Sequence, residues 1–231
     1  IEAIERRLDA VEELVAGLTE RKQIRELLQG MYDIERLCSK IVYGTINARD
    51  CIALTQTLER IPLIRETLRQ NESTALRQIC NNLDEMQDIL SLLKRAITEN
   101  PPTGLKEGGF IRAGYNAEVD ELRQIAEGSQ DWLERFEAGE RERTKIKSLR
   151  VGYNRVFGYY IEVTKSYLSL VPYDYERKQT LANAERFITP ELKEMEQKIL
   201  GANERLVALE SELFLEIRQV LIACTDRLQK N

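Results

Sequence analysis

Residues 151–190 read VGYNRVFGYYIEVTKSYLSLVPYDYERKQTLANAERFITP, and they decide the fold because the hydrophobic period changes there. Leu149, Val151 and Tyr153 alternate with polar neighbours. A turn at Asn154 to Gly158 follows, and Tyr159, Ile161 and Val163 alternate again. A period of two on both sides of a compact turn predicts a β-hairpin. Ser166 to Tyr175, which holds Pro172, reads as a connection, and Arg177 to Ile188 as a return to the same small sheet.

Outward from this segment the period lengthens to that of helices. On its N-terminal side Val119, Leu122, Ala126, Ser129, Leu133 and Phe136 step alternately by three and four, the spacing of a coiled-coil seam. On its C-terminal side Thr189 is a suitable N-cap with Pro190 at the first helical position. Leu192, Met195, Ile199, Ala202, Leu206, Leu209 and Leu213 form a second seam. Ile217, Val220 and Cys224 continue it after one slip, predicting a helix from about Thr189 to about Lys230. Two matching seams predict antiparallel helices with the β segment mounted at their far tip.

The first hundred residues predict a helical bundle. Ile1, Ile4, Leu8, Val11, Val15 and Leu18, then Ile24, Leu27, Leu28 and Met31, recur at helical steps and read as core. Asn47 is expected to cap a helix that Pro62 interrupts, and Leu76 through Ile97 to line one further apolar face. Asn100-Pro101-Pro102-Thr103-Gly104 stops the bundle, Gly108 to Tyr115 suits an extended turn, and Asn116 can cap the next helix. The first residue is Ile1, within a running amphipathic pattern, as expected of a piece of a longer protein.

The chain of 231 residues carries a net charge of −5 and no histidine. Its charge is polarised: residues 141–188 hold ten basic and five acidic side chains, the remainder 24 basic and 34 acidic. A phosphate backbone responds to the local field, so the average does not exclude nucleic acid. Cys38, Cys51, Cys80 and Cys224 show no metal-ligand spacing and read as buried thiols in a reducing cytoplasm. No apolar run is long enough to span a bilayer, and no nucleophile–base–oxyanion constellation is visible.

Backbone binding asks for cations with hydroxyl and amide donors on a stiff surface. Arg177-Lys178-Gln179-Thr180-Leu181-Ala182-Asn183 supplies both within seven residues, with Lys165 and Arg155 at neighbouring strand ends. The competing interpretation is that Thr180 and Asn183 close local turns while the cations are merely solvated. Tyr153, Tyr159 and Tyr160 could stack on bases, although strand alternation favours packing.

The motifs carry a resemblance. GYYIEVTK (158–165) and RKQTLANAERFITPEL (177–192) closely resemble the clamp of MutS family DNA mismatch-repair proteins. MYDIERLCSKI and NARD resemble that family's core, KEGGFIRAGYNAEVDEL and DWLERFEAGERERT its connector and descending lever, and NAERFITPELKEMEQKIL the returning lever. The resemblance implies a mainly α fold: a helical bundle core with long antiparallel lever helices carrying a small β-rich clamp at the tip. It divides the chain into a core with connector at 1–115, a descending lever at 116–143, a clamp at 144–188 and a returning lever at 189–231.

It further implies sequence-independent contact with the backbone of double-stranded DNA through Lys165, Lys178, Thr180 and Asn183. The full-length protein would be a cytoplasmic, DNA-dependent ATPase using ATP and magnesium, a homodimer with a MutL-like partner. This fragment itself is expected to use no cofactor or metal and to catalyse nothing. Two alternatives stay open: a coiled-coil scaffold presenting a β tip to a protein, and a MutS homologue acting in recombination or ribosome rescue.

Gly104 to Gly109 places glycines at the P-loop interval, but Phe110 and Ile111 stand where the phosphate-gripping Lys and hydroxyl belong. The chain is therefore expected neither to bind nor to hydrolyse ATP. Titration calorimetry checks this, and stoichiometric ATP binding would overturn it.

Overall fold

The computed structural model describes residues 1–231 apart from the side chains of Glu127 and Ser129. The seam position expected at Ser129 thus lies outside the described residues. The chain is mostly helical with one small antiparallel sheet, and it divides into two compact units, residues 1–115 with 209–231, and residues 116–208.

In the first unit α1 (Glu2–Ala16), α2 (Leu18–Gln29), α3 (Ile34–Val42), α4 (Ala48–Leu58), α5 (Ile61–Leu68), α6 (Thr74–Asn82) and α7 (Gln87–Ala96) follow one another closely. Asn47 caps α4 as expected, in a reciprocal capping box with Asp50. Pro62 sits in the first turn of α5, where its missing N–H costs nothing. The face expected from Leu76 to Ile97 is two helices, because Met86 takes a left-handed conformation between them. Phe110 and Phe214, both fully buried, meet edge to face at 5.6 Å.

The core expected along the first two helices is overturned in part. Ile1, Ile4, Leu8, Val11, Val15 and Leu18 are each at least 57% exposed, and Leu28 of α2 is 52% exposed. Gly17 ends α1, and the opposite face of that helix packs inward through Ala10 and Leu14 beside Ile64, Leu68 and Leu76. Periodicity identifies an apolar stripe but not which stripe a neighbour covers.

The second unit contains α8 (Ala117–Thr144), β1 (Arg150–Asn154), β2 (Gly158–Thr164), a 3₁₀ turn (Lys165–Leu170), β3 (Glu176–Thr180), β4 (Ala184–Ile188) and the start of α9 (Pro190–Ala223). Asn116 and Thr189 cap α8 and α9 through their side chains, at 3.1 and 3.2 Å. The sheet order is β1-β2-β4-β3, with every pair antiparallel. The hairpin has the register the alternation predicts, Tyr153 opposite Tyr159 and Val151 opposite Ile161.

One face of the sheet buries Ile161, Val163 and Phe187 with Ile146, Leu149 and Tyr175, against Phe136 of α8 and Leu192 of α9. Glu118, near the start of α8, pairs with Arg205 at 2.5 Å. Phe136 and Leu192 share one cluster, so the two helices run antiparallel within this unit. Val119, Leu122, Ile199 and Ala202 are buried along them.

α9 ends at Ala223, short of the expected Lys230, and a final turn, α10, spans Thr225–Leu228. Beyond Ala208 its buried positions are Glu210, Phe214, Ile217 and Leu221: Ile217 is buried as expected, while Leu209, Leu213 and Val220 give way to the residues one position later.

Glu13 of α1 caps α6 from a distance, accepting from the amides of Glu72 at 2.6 Å and Ser73 at 2.8 Å. Those bonds, the Glu72 amide foremost, lower the Glu13 carboxyl to about 2. A depressed carboxyl stabilises the fold above its unfolded value and ceases to do so as pH falls through the folded one. The thermal midpoint of the wild type should therefore exceed that of Glu13→Gln at pH 5 and above. That advantage should fade as pH falls toward 2, as measured by circular dichroism.

Candidate nucleic-acid interface

The sheet has two ends with different chemistry. At one end the β3–β4 turn is closed by the Leu181 amide donating to the Ala184 carbonyl at 2.8 Å. The Lys165 amide, just past β2, donates to the Asn183 carbonyl at 3.1 Å. Ser148 and Thr164 share a hydroxyl hydrogen bond of 2.9 Å beside them. Lys165, Thr180 and Asn183 are therefore neighbours on a stiff edge, and all three are exposed. No side-chain hydrogen bond holds Thr180 or Asn183 among the described residues, so neither side chain closes a turn.

Lys178, expected with them, is elsewhere. The β3–β4 register slips between Arg177 and Gln179, which makes Lys178 the extra residue of a bulge; bulges re-aim side chains. Its ammonium donates to the Phe157 carbonyl at 2.7 Å, in the β1–β2 turn at the opposite end of the sheet. The structure brings Lys165, Thr180 and Asn183 together and sets Lys178 apart.

Ion pairing sorts the remaining cations. Arg141 pairs with Glu137, Arg143 with Glu140 and Asp174, Arg177 with Glu185, and Arg186 with Glu162. Lys145, Lys147, Arg150, Arg155 and Lys165 form no ion pair among the described residues, and all five are exposed. Lys147 adjoins Ser148 at the same end as Lys165. The local positive charge thus resides in groups held by no carboxylate.

The tyrosines pack. Tyr153 and Tyr159 lie 4.9 Å apart across the hairpin. Tyr160 lies under the Arg186 guanidinium at 4.0 Å, and Arg186 also donates to Glu162 and Gln179 at 2.9 and 3.0 Å.

Several supports were invisible in the sequence. Glu140 of α8 is buried and accepts from the Tyr175 hydroxyl at 2.5 Å. Arg143 bridges Glu140 and Asp174. This network ties the segment entering β3 to α8. Burial foremost, then Glu140, pushes the Tyr175 hydroxyl above its ordinary range, while bonds to Glu140 and Asp174 hold Arg143 charged. The three-residue spacing of Glu140 and Arg143 signals a helix-surface pair, but nothing local signals Tyr175.

The glycine-rich stretch in the first unit has a structural use. Leu105–Glu107 forms a 3₁₀ turn, Gly108 and Gly109 take positive φ, and the Gly109 amide donates to the buried Glu210 carboxylate at 2.5 Å. A carboxylate occupies that amide, where a P-loop would present its amides to phosphate. Cys38, Cys51 and Cys80 are buried, whereas Cys224 is partly exposed, and none is in a disulfide. Burial foremost, with Asp50 adding, pushes the Cys51 thiol up to about 12. No helix is long and apolar enough to cross a membrane among the described residues.

Residues 114–205 match the family model described as MutS family domain IV. The chain is 52% identical over 234 residues to the DNA mismatch repair protein MutS of Methanosarcina barkeri, covering 100% of this chain and 26% of that protein. It is 51% identical over 227 residues to the protein of that name from Caldicellulosiruptor bescii, covering 98% and 26%. The protein of that name from Ruminiclostridium cellulolyticum is 50% identical over 223 residues, covering 96% and 26%. This chain belongs to the MutS family. It spans about a quarter of the length of these MutS relatives. The stretch matched as MutS domain IV nearly coincides with the second compact unit, residues 116–208.

The Glu140 network is open to direct measurement. Tyr175→Phe removes one hydrogen bond to a carboxylate and should cost about 1.5–3 kcal/mol. Glu140→Ala should cost more, because it leaves the buried Tyr175 hydroxyl without its acceptor. Urea unfolding of the purified chain checks both the values and their order.

Proposed function

We propose that this segment grips duplex DNA by its sugar–phosphate backbone, without reading sequence, and acts as the clamp and levers of a mismatch-repair protein. The observation that carries this is the exposed end of the sheet. There Lys165, Thr180 and Asn183 adjoin one another on backbone hydrogen bonds, with unpaired lysines alongside. An ammonium, a hydroxyl and a carboxamide on a fixed edge suit phosphate oxygens, and no groove-reading helix is required. Lys178 enters on different terms, since its ammonium already holds the Phe157 carbonyl.

In this reading residues 1–115 are the core with connector, α8 and α9 the descending and returning levers, and 144–188 the clamp. The segment performs no chemistry of its own and couples DNA engagement to an ATPase elsewhere in the full-length protein. That protein works in the cytoplasm with ATP and magnesium, as a homodimer that engages a MutL-like partner. The relatives' printed name, DNA mismatch repair protein, supports this context.

Fluorescence anisotropy with a short duplex tests the reading. The chain should bind with a Kd of about 10⁻⁴ to 10⁻⁶ M, the range of non-specific association, and equally to matched and mismatched duplexes. Lys165→Ala should flatten the dependence of log K on log salt by about 0.9, since each neutralised phosphate releases that share of counterion. Thr180→Ala should weaken binding while leaving the slope unchanged. If Lys165→Ala alters neither affinity nor slope, the contact surface lies elsewhere.

A further inference from the structure

The β1–β2 turn has a backbone problem that a side chain of α9 solves. β4 pairs with β2 only from Ile161 onward and becomes α9 soon after Ile188. Gly158, Tyr159 and Tyr160 consequently have no β4 partner. The Tyr159 amide, which faces that gap, donates to Oε1 of Glu196 on α9 at 3.0 Å. Gly158 has a φ of +72°, and a Cβ there would collide with the same carboxylate. The glycine admits Glu196 to the turn.

Lys178 completes the arrangement. Its ammonium donates to the Phe157 carbonyl at 2.7 Å and lies 4.0 Å from Oε2 of Glu196. Its side chain is only 27% exposed and that of Glu196 13%. One carboxylate thus takes the amide after Gly158 while one ammonium takes the carbonyl before it. The two opposite charges face each other across the turn. The bulge at Lys178 points its stem this way instead of outward from the sheet.

We propose that Lys178 and Glu196 are a positioning pair that fastens the β1–β2 turn to α9, and that Lys178 is not itself a phosphate contact. This rests on the backbone-binding reading and assigns different work to one of its four expected residues. The pair fixes the hairpin against the helix while Lys165, Thr180 and Asn183 meet the DNA.

Amide exchange by NMR and the salt dependence of duplex binding, both on this 231-residue chain, test the proposal. Lys178→Met keeps the stem and removes the charge. It should speed exchange at Tyr159 by about tenfold, the effect of losing a charge-assisted restraint. Exchange at Ile161 and Val163 in the core should stay unchanged. Glu196→Ala should do the same, the double variant should add little, and Lys178→Arg should retain protection. Lys178→Met should leave the salt slope of binding unaltered, whereas Lys165→Met should flatten it by about 0.9.

The proposal is overturned if Lys178→Met leaves Tyr159 exchange unmoved, or if it flattens the slope as Lys165→Met does. If the wild-type chain binds no duplex, the backbone-contact reading fails separately. Exchange at Tyr159 then decides the positioning pair alone, faster exchange supporting it and unchanged exchange overturning it.

Discussion

The second unit depends on carboxylates of its helices taking backbone amides that the sheet leaves open. Strands of five to seven residues in the order β1-β2-β4-β3 leave β1 at an edge and the first residues of β2 without a neighbour on one side. An amide buried without a partner costs as much as a lost hydrogen bond or more. Glu137 of α8 accepts from the Val151 amide at 2.7 Å, and Glu196 of α9 accepts from Tyr159. Arg141 donates to the Leu149 carbonyl at 2.7 Å and pairs with Glu137 at the same distance. The β1 edge is thereby covered by α8, which also keeps it from pairing with another chain.

These attachments explain how charge is distributed over the unit. Glu137 and Glu140 of α8 and Glu196 of α9 are occupied with the sheet's backbone, with Arg141 and Arg143, or with Lys178. Glu162 and Glu185 within the sheet are occupied by Arg186 and Arg177. The cations at the far end are thus left without partners. Of the five acidic residues in 141–188, Glu162, Asp174 and Glu185 are held by Arg186, Arg143 and Arg177, while five of the ten basic residues form no ion pair among the described residues. Burial of Ile161, Val163 and Phe187 against Phe136 and Leu192 stiffens the sheet against both helices.

Much of this was legible beforehand, for local reasons. The hairpin register followed from alternation through Tyr153 and Tyr159. The starts of α4, α8 and α9 followed from Asn47, Asn116 and Thr189, whose side chains cap within three residues of themselves. Of the candidate site, Lys165, Thr180 and Asn183 were nominated by composition and resemblance, and the fold sets them side by side. The features that local pattern did not give share one cause. The exposed stripe of α1, the shift at Leu209 and Leu213 of α9 and the direction of the Lys178 side chain each depend on which partner is present, and a local pattern does not specify partners.

The sequence by itself determined the periods, the caps, the turn at Asn154 to Gly158 and the excess of cations in residues 141–188, because each arises from residues a few positions apart. Only the tertiary structure decided which of those cations stay free and where Lys178 points. It also decided why Gly158 must lack a side chain. Glu140 lies 35 residues from Tyr175, and Glu196 lies 37 from Tyr159. A hydrogen bond over such a separation exists only once helices and sheet have packed, so no spacing in the chain records it.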